Sequence, residues 1–236
     1  MQFPNLAVRR GLLCYIPIQT FNGAFLMVVL FLCGKMGVGK NYVANRIALA
    51  CSKKNLACEQ LMLAEGVKRG CEEDFARLAE LLNSYAEEAA NAGLPDLVKK
   101  LAIEPKNWWE EKTPITRVLL QSYGTEIFRN RVDENYWTEK LLDRLAELKE
   151  ERTDIVLVTD MRFPNECDYT KDMMPDDVVR SVMIERDSCY KDEALFKHDS
   201  ETALDTFQPD IRLANDDNEC LDKSIDALLA DFFKED

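Results

Sequence analysis

Residues 27–41 read MVVLFLCGKMGVGKN, seven apolar residues running without a break into Gly34, Gly37, Gly39 and Lys40. A short unbroken run of β-branched and large apolar residues suits a parallel strand covered on both faces. Gly34 and Gly39-Lys40 have the spacing GxxxxGK, and the residues after them, 41–53, carry a helical pattern. A strand, a glycine loop and a helix in this order form a phosphate cradle. The glycines let backbone N–H groups turn inward, the helix N-terminus adds its positive end, and the lysine reaches the terminal phosphates. Gly34, Gly37, Val38, Gly39, Lys40 and Asn41 are therefore the candidate nucleotide-binding residues. Asn41 stands where a Ser or Thr hydroxyl usually touches magnesium, and its amide oxygen is a weaker, neutral ligand.

Downstream, DIVLVT at 154–159 reads as a second buried strand ending at Asp160. A carboxylate at the C-terminal end of such a strand is where a group that positions Mg2+ would sit, and Asp160 is the main candidate metal residue, with Asn41 beside it. The alternative is that Asp160 merely caps the following turn. Arg162, two residues on, can set a fork of donors against a phosphate. Residues 178–184 (VVRSVMI) and 211–214 read as further strands, the latter followed by Asn215-Asp216, and 220–233 as a closing amphipathic helix. Strands separated by helices imply a parallel sheet with right-handed crossovers, an α/β fold of three layers. Between the first two strands the chain is mostly helical. Trp108 and Trp109 either pack this insertion on the core or border a base pocket. A long helical stretch from 115 to 148 carries Arg117, Arg129 and Arg131, either as a local cationic cluster or as partners of Glu126, Asp133 and Glu134. Residues 186–201 form a polar segment holding the single histidine, His198.

The chain has 236 residues, 43 acidic against 30 basic, for a net charge of -13. That balance disfavours nucleic-acid polymers and anionic membranes as partners. Eight cysteines without a CxxC pair, together with one histidine, argue for free thiols in a reducing cytoplasm and against zinc. Residues 11–33 carry no charge, but Pro17, Gln19, Thr20, Asn22 and Gly23 interrupt the run and its apolar half ends in the glycine loop. A membrane anchor is the rival reading; a strand preceded by an extension over 1–26 is the better one.

Four segments then resemble the bacteriophage deoxynucleoside monophosphate kinases, of the P-loop nucleoside-monophosphate-kinase fold: GKMGVGKN, TRVLLQSYGTEIFRNRVDENYW, VTDMRFPNE and HDSE at 198–201. LAEGVK at 63–68 is a weaker match to a strand-then-lysine segment that lies near the substrate in that family. The family usually has Asp at the position of Asn41, and residues 1–26 have no counterpart in it. The resemblance implies a P-loop kinase domain over 27–236, with a helical insertion at about 69–113 and a lid at about 186–201. It implies transfer of the γ-phosphoryl group of ATP, with Mg2+, to a deoxynucleoside 5′-monophosphate. In that reading Lys40, Arg117, Arg129 and Arg162 are catalytic, and Lys68, Arg117, Arg129, Arg162 and Glu166 bind the acceptor. Arg186, His198 and Glu201 belong to the lid, where His198 is a contact rather than a base, since a monophosphate acceptor is already an anion. Two other readings stay open: a P-loop kinase of another phosphorylated acceptor, such as phosphomevalonate or dephospho-coenzyme A, and a switch protein that hydrolyses ATP slowly. Oligomeric state is open too, a homodimer included.

Overall fold

The computed structural model describes residues 20–21, 24–84, 119–186 and 202–233. A two-stranded antiparallel ribbon, β1 (Thr20–Phe21) with β2 (Ala24–Phe25), leads into the first long strand, β3 (Val28–Cys33). Then come α1 (Lys40–Lys53), β4 (Cys58–Leu61), α2 (Leu63–Ser84), a π-helix (Ser122–Val132), α3 (Tyr136–Glu150) and β5 (Ile155–Val158). The chain closes with α4 (Pro164–Met173), β6 (Val178–Glu185), β7 (Ile211–Ala214) and α5 (Asn218–Phe232). The five long strands pair in the order β4-β5-β3-β6-β7, all parallel.

β3 lies at the centre and every residue of it is fully buried. Successive side chains of a strand point to opposite faces, and here each face meets its own layer of helices. Val28, Leu30 and Leu32 pack with Val43 and Ile47 of α1 and Leu221, Ile225 and Leu229 of α5. Met27, Val29, Phe31 and Cys33 pack with Leu141, Leu145 and Leu148 of α3 and with Cys167 of α4. The three-layer α/β architecture expected from the apolar runs is the one observed. The strand's start is pinned by Asp177, whose carboxylate is 2% exposed and accepts the Met27 N–H at 2.9 Å and the Lys149 ammonium at 2.5 Å.

Two local expectations are corrected. LAEGVK is not a strand: residues 63–68 open α2, and the strand is the preceding CEQL of β4. β4 sits at the sheet edge with Glu59 and Gln60 exposed, so no apolar run announces it. The single long helix expected over 115–148 is broken at Asp133, whose backbone is extended and whose carboxylate accepts the Asn135 N–H at 2.6 Å, a local bond that competes with helix continuation. Residues 122–132, ahead of the break, are wound as a π-helix. Arg117, Trp108, Trp109, His198 and Glu201 lie outside the described residues, as do residues 85–113 of the expected insertion and 187–201 of the expected lid. The six described cysteines are free thiols, and no described helix is long and apolar enough to cross a membrane.

Candidate active site

Parallel strands deliver the residues that follow them to one edge of the sheet, and in open α/β sheets that carboxyl edge is where ligands bind. Here the segments after β3, β5 and β6, with Arg212 of β7, line a cleft of about 520 Å³. Its walls include Gly34, Lys35, Val38 and Lys40 after β3, and Asp160 and Arg162 after β5. Glu185 and Arg186 come from the end of β6, Arg212 from β7, and Leu204, Asp205 and Phe207 from the segment between them.

The glycine loop has the conformation its residues require. Gly34, Gly37 and Gly39 have φ of 136°, 86° and 90°, a region side chains rarely adopt. At Gly34 a Cβ would stand 2.5 Å from the Ile184 carbonyl oxygen, so the loop can lie against β6 only without one. Gly39 precedes the first turn of α1 and accepts the Val43 N–H at 2.9 Å, which brings the helix N-terminus to the cleft. Lys40 curls back over the loop, its ammonium donating to the carbonyls of Gly34 at 2.7 Å and Lys35 at 3.2 Å. Asn41, next along, is exposed.

Asp160 caps a helix, though it is α2 rather than the turn that follows it, and it stands at the cleft. Its two carboxylate oxygens accept the N–H groups of Leu63 at 2.7 Å and Ala64 at 2.8 Å, capping α2, while the residue also lines the cleft. Burial raises its pKa; the two amides, Arg162 and Lys40 act against that rise. A carboxylate oxygen has two lone pairs, so one capping bond on each leaves Asp160 acceptor capacity toward the cleft. Magnesium keeps several waters and binds through one or two carboxylates plus substrate phosphates. The Asp160 carboxylate, with Lys40 and Arg162 in the same cleft, fits that manner of binding, and no cluster of three metal-ligating side chains occurs among the described residues.

Glu166 is 7% exposed and turned inward. One of its oxygens, Oε2, accepts the N–H groups of Arg162 at 2.7 Å and Phe163 at 3.1 Å, so this carboxylate shapes the loop that presents Arg162. Burial is the main cause that pushes its pKa up to about 7, and the Asp160 charge adds to the rise. Pro164 begins α4 directly after, a position where a missing N–H costs nothing.

Arg129 comes from the π-helix. Its guanidinium lies 3.7 Å above the Phe163 ring and donates to the Glu134 carbonyl and the Asn165 side-chain oxygen, both at 2.8 Å. Desolvation lowers its pKa, yet an arginine stays charged. These two bonds go to neutral oxygens, so they leave the positive charge of Arg129 in place beside the Arg162 loop. Lys68 is half-buried on the second turn of α2 and does not line the cleft. Arg186 does line it, immediately past β6. Sequence reasoning passed over Lys35 and Arg212, which also line the cleft. Lys35 is ion-paired with Asp205 and Arg212 with Glu185. Cys33, just below the loop, is fully buried and its thiol is pushed up to about 12, which makes it inert.

Fold and loop together define a P-loop nucleotide-binding protein of the three-layer α/β class. Residues 82–225, more than half of the chain, match the deoxynucleotide monophosphate kinase family, and the chain belongs to that family. The matched span begins after the P-loop and contains Arg129, Asp160, Arg162 and Glu166. The chain is also 29% identical over 103 residues to "Uncharacterized protein ORF77" of Ictalurid herpesvirus 1 (strain Auburn), a match covering 44% of this chain and 42% of that protein. It thus spans less than half the length of that curated relative.

Proposed function

We propose that the chain transfers the γ-phosphoryl group of ATP to a deoxynucleoside 5′-monophosphate, giving the diphosphate and ADP. One observation carries the reading. In a chain of net charge -13, the cleft at the carboxyl edge of the sheet gathers Lys35, Lys40, Arg162, Arg186 and Arg212 against Asp160, Glu185 and Asp205, so cations exceed acids there by two. Two polyanionic substrates held in line need that local excess.

Phosphoryl transfer asks for positioning and charge compensation rather than covalent help from the protein. The P-loop amides and the N-terminus of α1 hold the ATP phosphates, and Lys40 leaves the loop carbonyls for a phosphate oxygen. An oxygen of the acceptor phosphate forms the new bond to the γ-phosphorus as the bond to the β,γ-bridging oxygen breaks, and ADP carries away the electron pair. No proton has to be removed, because the acceptor is already an anion. Arg162 bears on the transferred group. Arg129 and Lys68 serve the acceptor side, with Arg117 as a further candidate outside the described residues. Glu166 acts by shaping the Arg162 loop. A bound Mg2+ would neutralise charge on the phosphates, and Asp160 would hold it, with Asn41 acting through water. The segment from Arg186 through His198 to Glu201 closes over the site, because water competes as phosphoryl acceptor. The compartment that fits is the cytoplasm of the cell in which the chain is made.

The test is ADP release with Mg2+ and ATP in the presence of each deoxynucleoside monophosphate in turn. Acceptor-dependent turnover with at least one of them is expected. ATP hydrolysis that no monophosphate stimulates would overturn the proposal and favour a switch protein.

A further inference from the structure

Asn215 follows β7 and is 7% exposed. Its backbone N–H donates to the Glu185 carbonyl at 2.8 Å, which continues the pairing of β7 with β6. Its side-chain amide donates to the Val38 carbonyl at 2.8 Å, across 177 residues of chain. The assignment of nitrogen and oxygen in that amide follows from chemistry, since an oxygen facing a carbonyl oxygen would form no hydrogen bond. The same nitrogen is what a Cβ on Gly39 would strike, at 2.5 Å. The loop that carries Asn215 is held at its other end too. Asp217 caps α5 through the Cys220 N–H at 2.8 Å, and Tyr42 of α1 donates to the Asn218 side-chain oxygen at 2.9 Å.

We infer that Asn215 is a positioning residue for nucleotide binding, one that fixes the Val38–Gly39 peptide of the P-loop so that the Gly39 N–H is offered to phosphate. The reasoning is geometric. In a trans peptide the C=O and the next N–H point in opposite directions, and no peptide among the described residues is cis. Asn215 is not among the residues that line the cleft, whereas Val38 is, so a donor that anchors the Val38 carbonyl toward Asn215 commits the Gly39 N–H to the opposite side. Gly39 has φ of 90° and no side chain, so no Cβ opposes rotation of that peptide. Asn215 supplies the resistance from a residue that the sheet holds rigid.

This rests on the proposal that the P-loop binds ATP, and the test separates the two. ATP with Mg2+ is titrated into the wild-type protein, Asn215→Asp and Asn215→Ala, with calorimetric Kd, thermal unfolding and the amide NMR signals of Gly37 and Gly39 as readouts. Asp keeps the shape but sets a carboxylate oxygen against the carbonyl; Ala only removes the donor. Loss of one partner of a buried hydrogen bond is expected to weaken ATP binding about tenfold or more, with Asp worse than Ala. At saturating ATP the Gly37 amide still shifts in both variants, while the Gly39 shift seen in the wild type is lost. If Asp fails to fold, Ala decides. Folded variants that bind ATP with the wild-type Kd and keep the Gly39 shift overturn the inference, as does a loss of affinity in which both amides respond normally at saturation. A wild-type protein that does not bind ATP at all overturns the P-loop reading, and this inference with it.

Discussion

The site rests on a few residues whose surroundings make distinct demands. Lys40 donates to loop carbonyls at the cleft and is not part of the apolar core, so its removal leaves the core untouched. Lys40→Ala is expected to abolish turnover while shifting Tm little, measured by steady-state kinetics and thermal unfolding; near-normal kcat would disprove the P-loop assignment. Arg129 binds through both arms of its fork and stacks on Phe163. Lysine supplies neither fork nor plane. Arg129→Lys should therefore raise KM for the acceptor or lower kcat about tenfold or more, with KM for ATP unchanged. Glu166 makes a pH prediction. A folded-state pKa of about 7 against the ordinary value of 4.5 means that the native state holds a proton the unfolded chain has lost between those limits. Stability from this group is complete below about 4.5 and is lost as pH rises through 7, by roughly 3 kcal/mol in all. Glu166→Gln should flatten that part of the stability curve, followed by urea midpoints between pH 4.5 and 8. An unchanged slope would mean that Glu166 does not titrate there.

At the scale of elements, legibility in the sequence follows burial. β3 and β5 announce themselves because strands covered on both faces are nearly all apolar, and β6 still carries five apolar residues in eight. β4 is silent because its two middle residues, Glu59 and Gln60, are polar and exposed, and the π-helix is silent because its winding depends on what packs around it, not on the period of its side chains. Trp137 donates to the Gly124 carbonyl at 2.9 Å and shares a ring cluster with Tyr123, Phe128 and Tyr136, contacts made between elements. The site divides in the same way. Lys40, Asp160 and Arg162 each follow a legible strand, so reading the strands already brings them to one edge. Phe163 and Asn165 as partners of Arg129, and Asn215 as partner of the P-loop, come from segments that meet only in the folded chain. Packing of α3 on the sheet carries its own expectation. Leu145 is fully buried, and Leu145→Ala should cost about 2–5 kcal/mol, read as a fall in denaturation midpoint.

At the scale of the whole molecule, charge is divided by place. The chain's excess of acid lies outside the cleft, and the cleft concentrates cations. A surface of this kind should not retain a random DNA duplex at about 0.1 M salt. Fluorescence anisotropy with a labelled duplex checks this, and saturable binding would contradict the charge argument. The division of the core has a consequence for motion. Because β3 belongs to both helix layers, its amides can meet solvent only when the two layers part together, so residues 28–33 should be the last to take up deuterium, at the rate set by global opening. Gly34 follows directly on Cys33, so the glycine loop is anchored on the strand expected to exchange slowest, and a bond made or broken in the loop leaves the stability of that strand unspent.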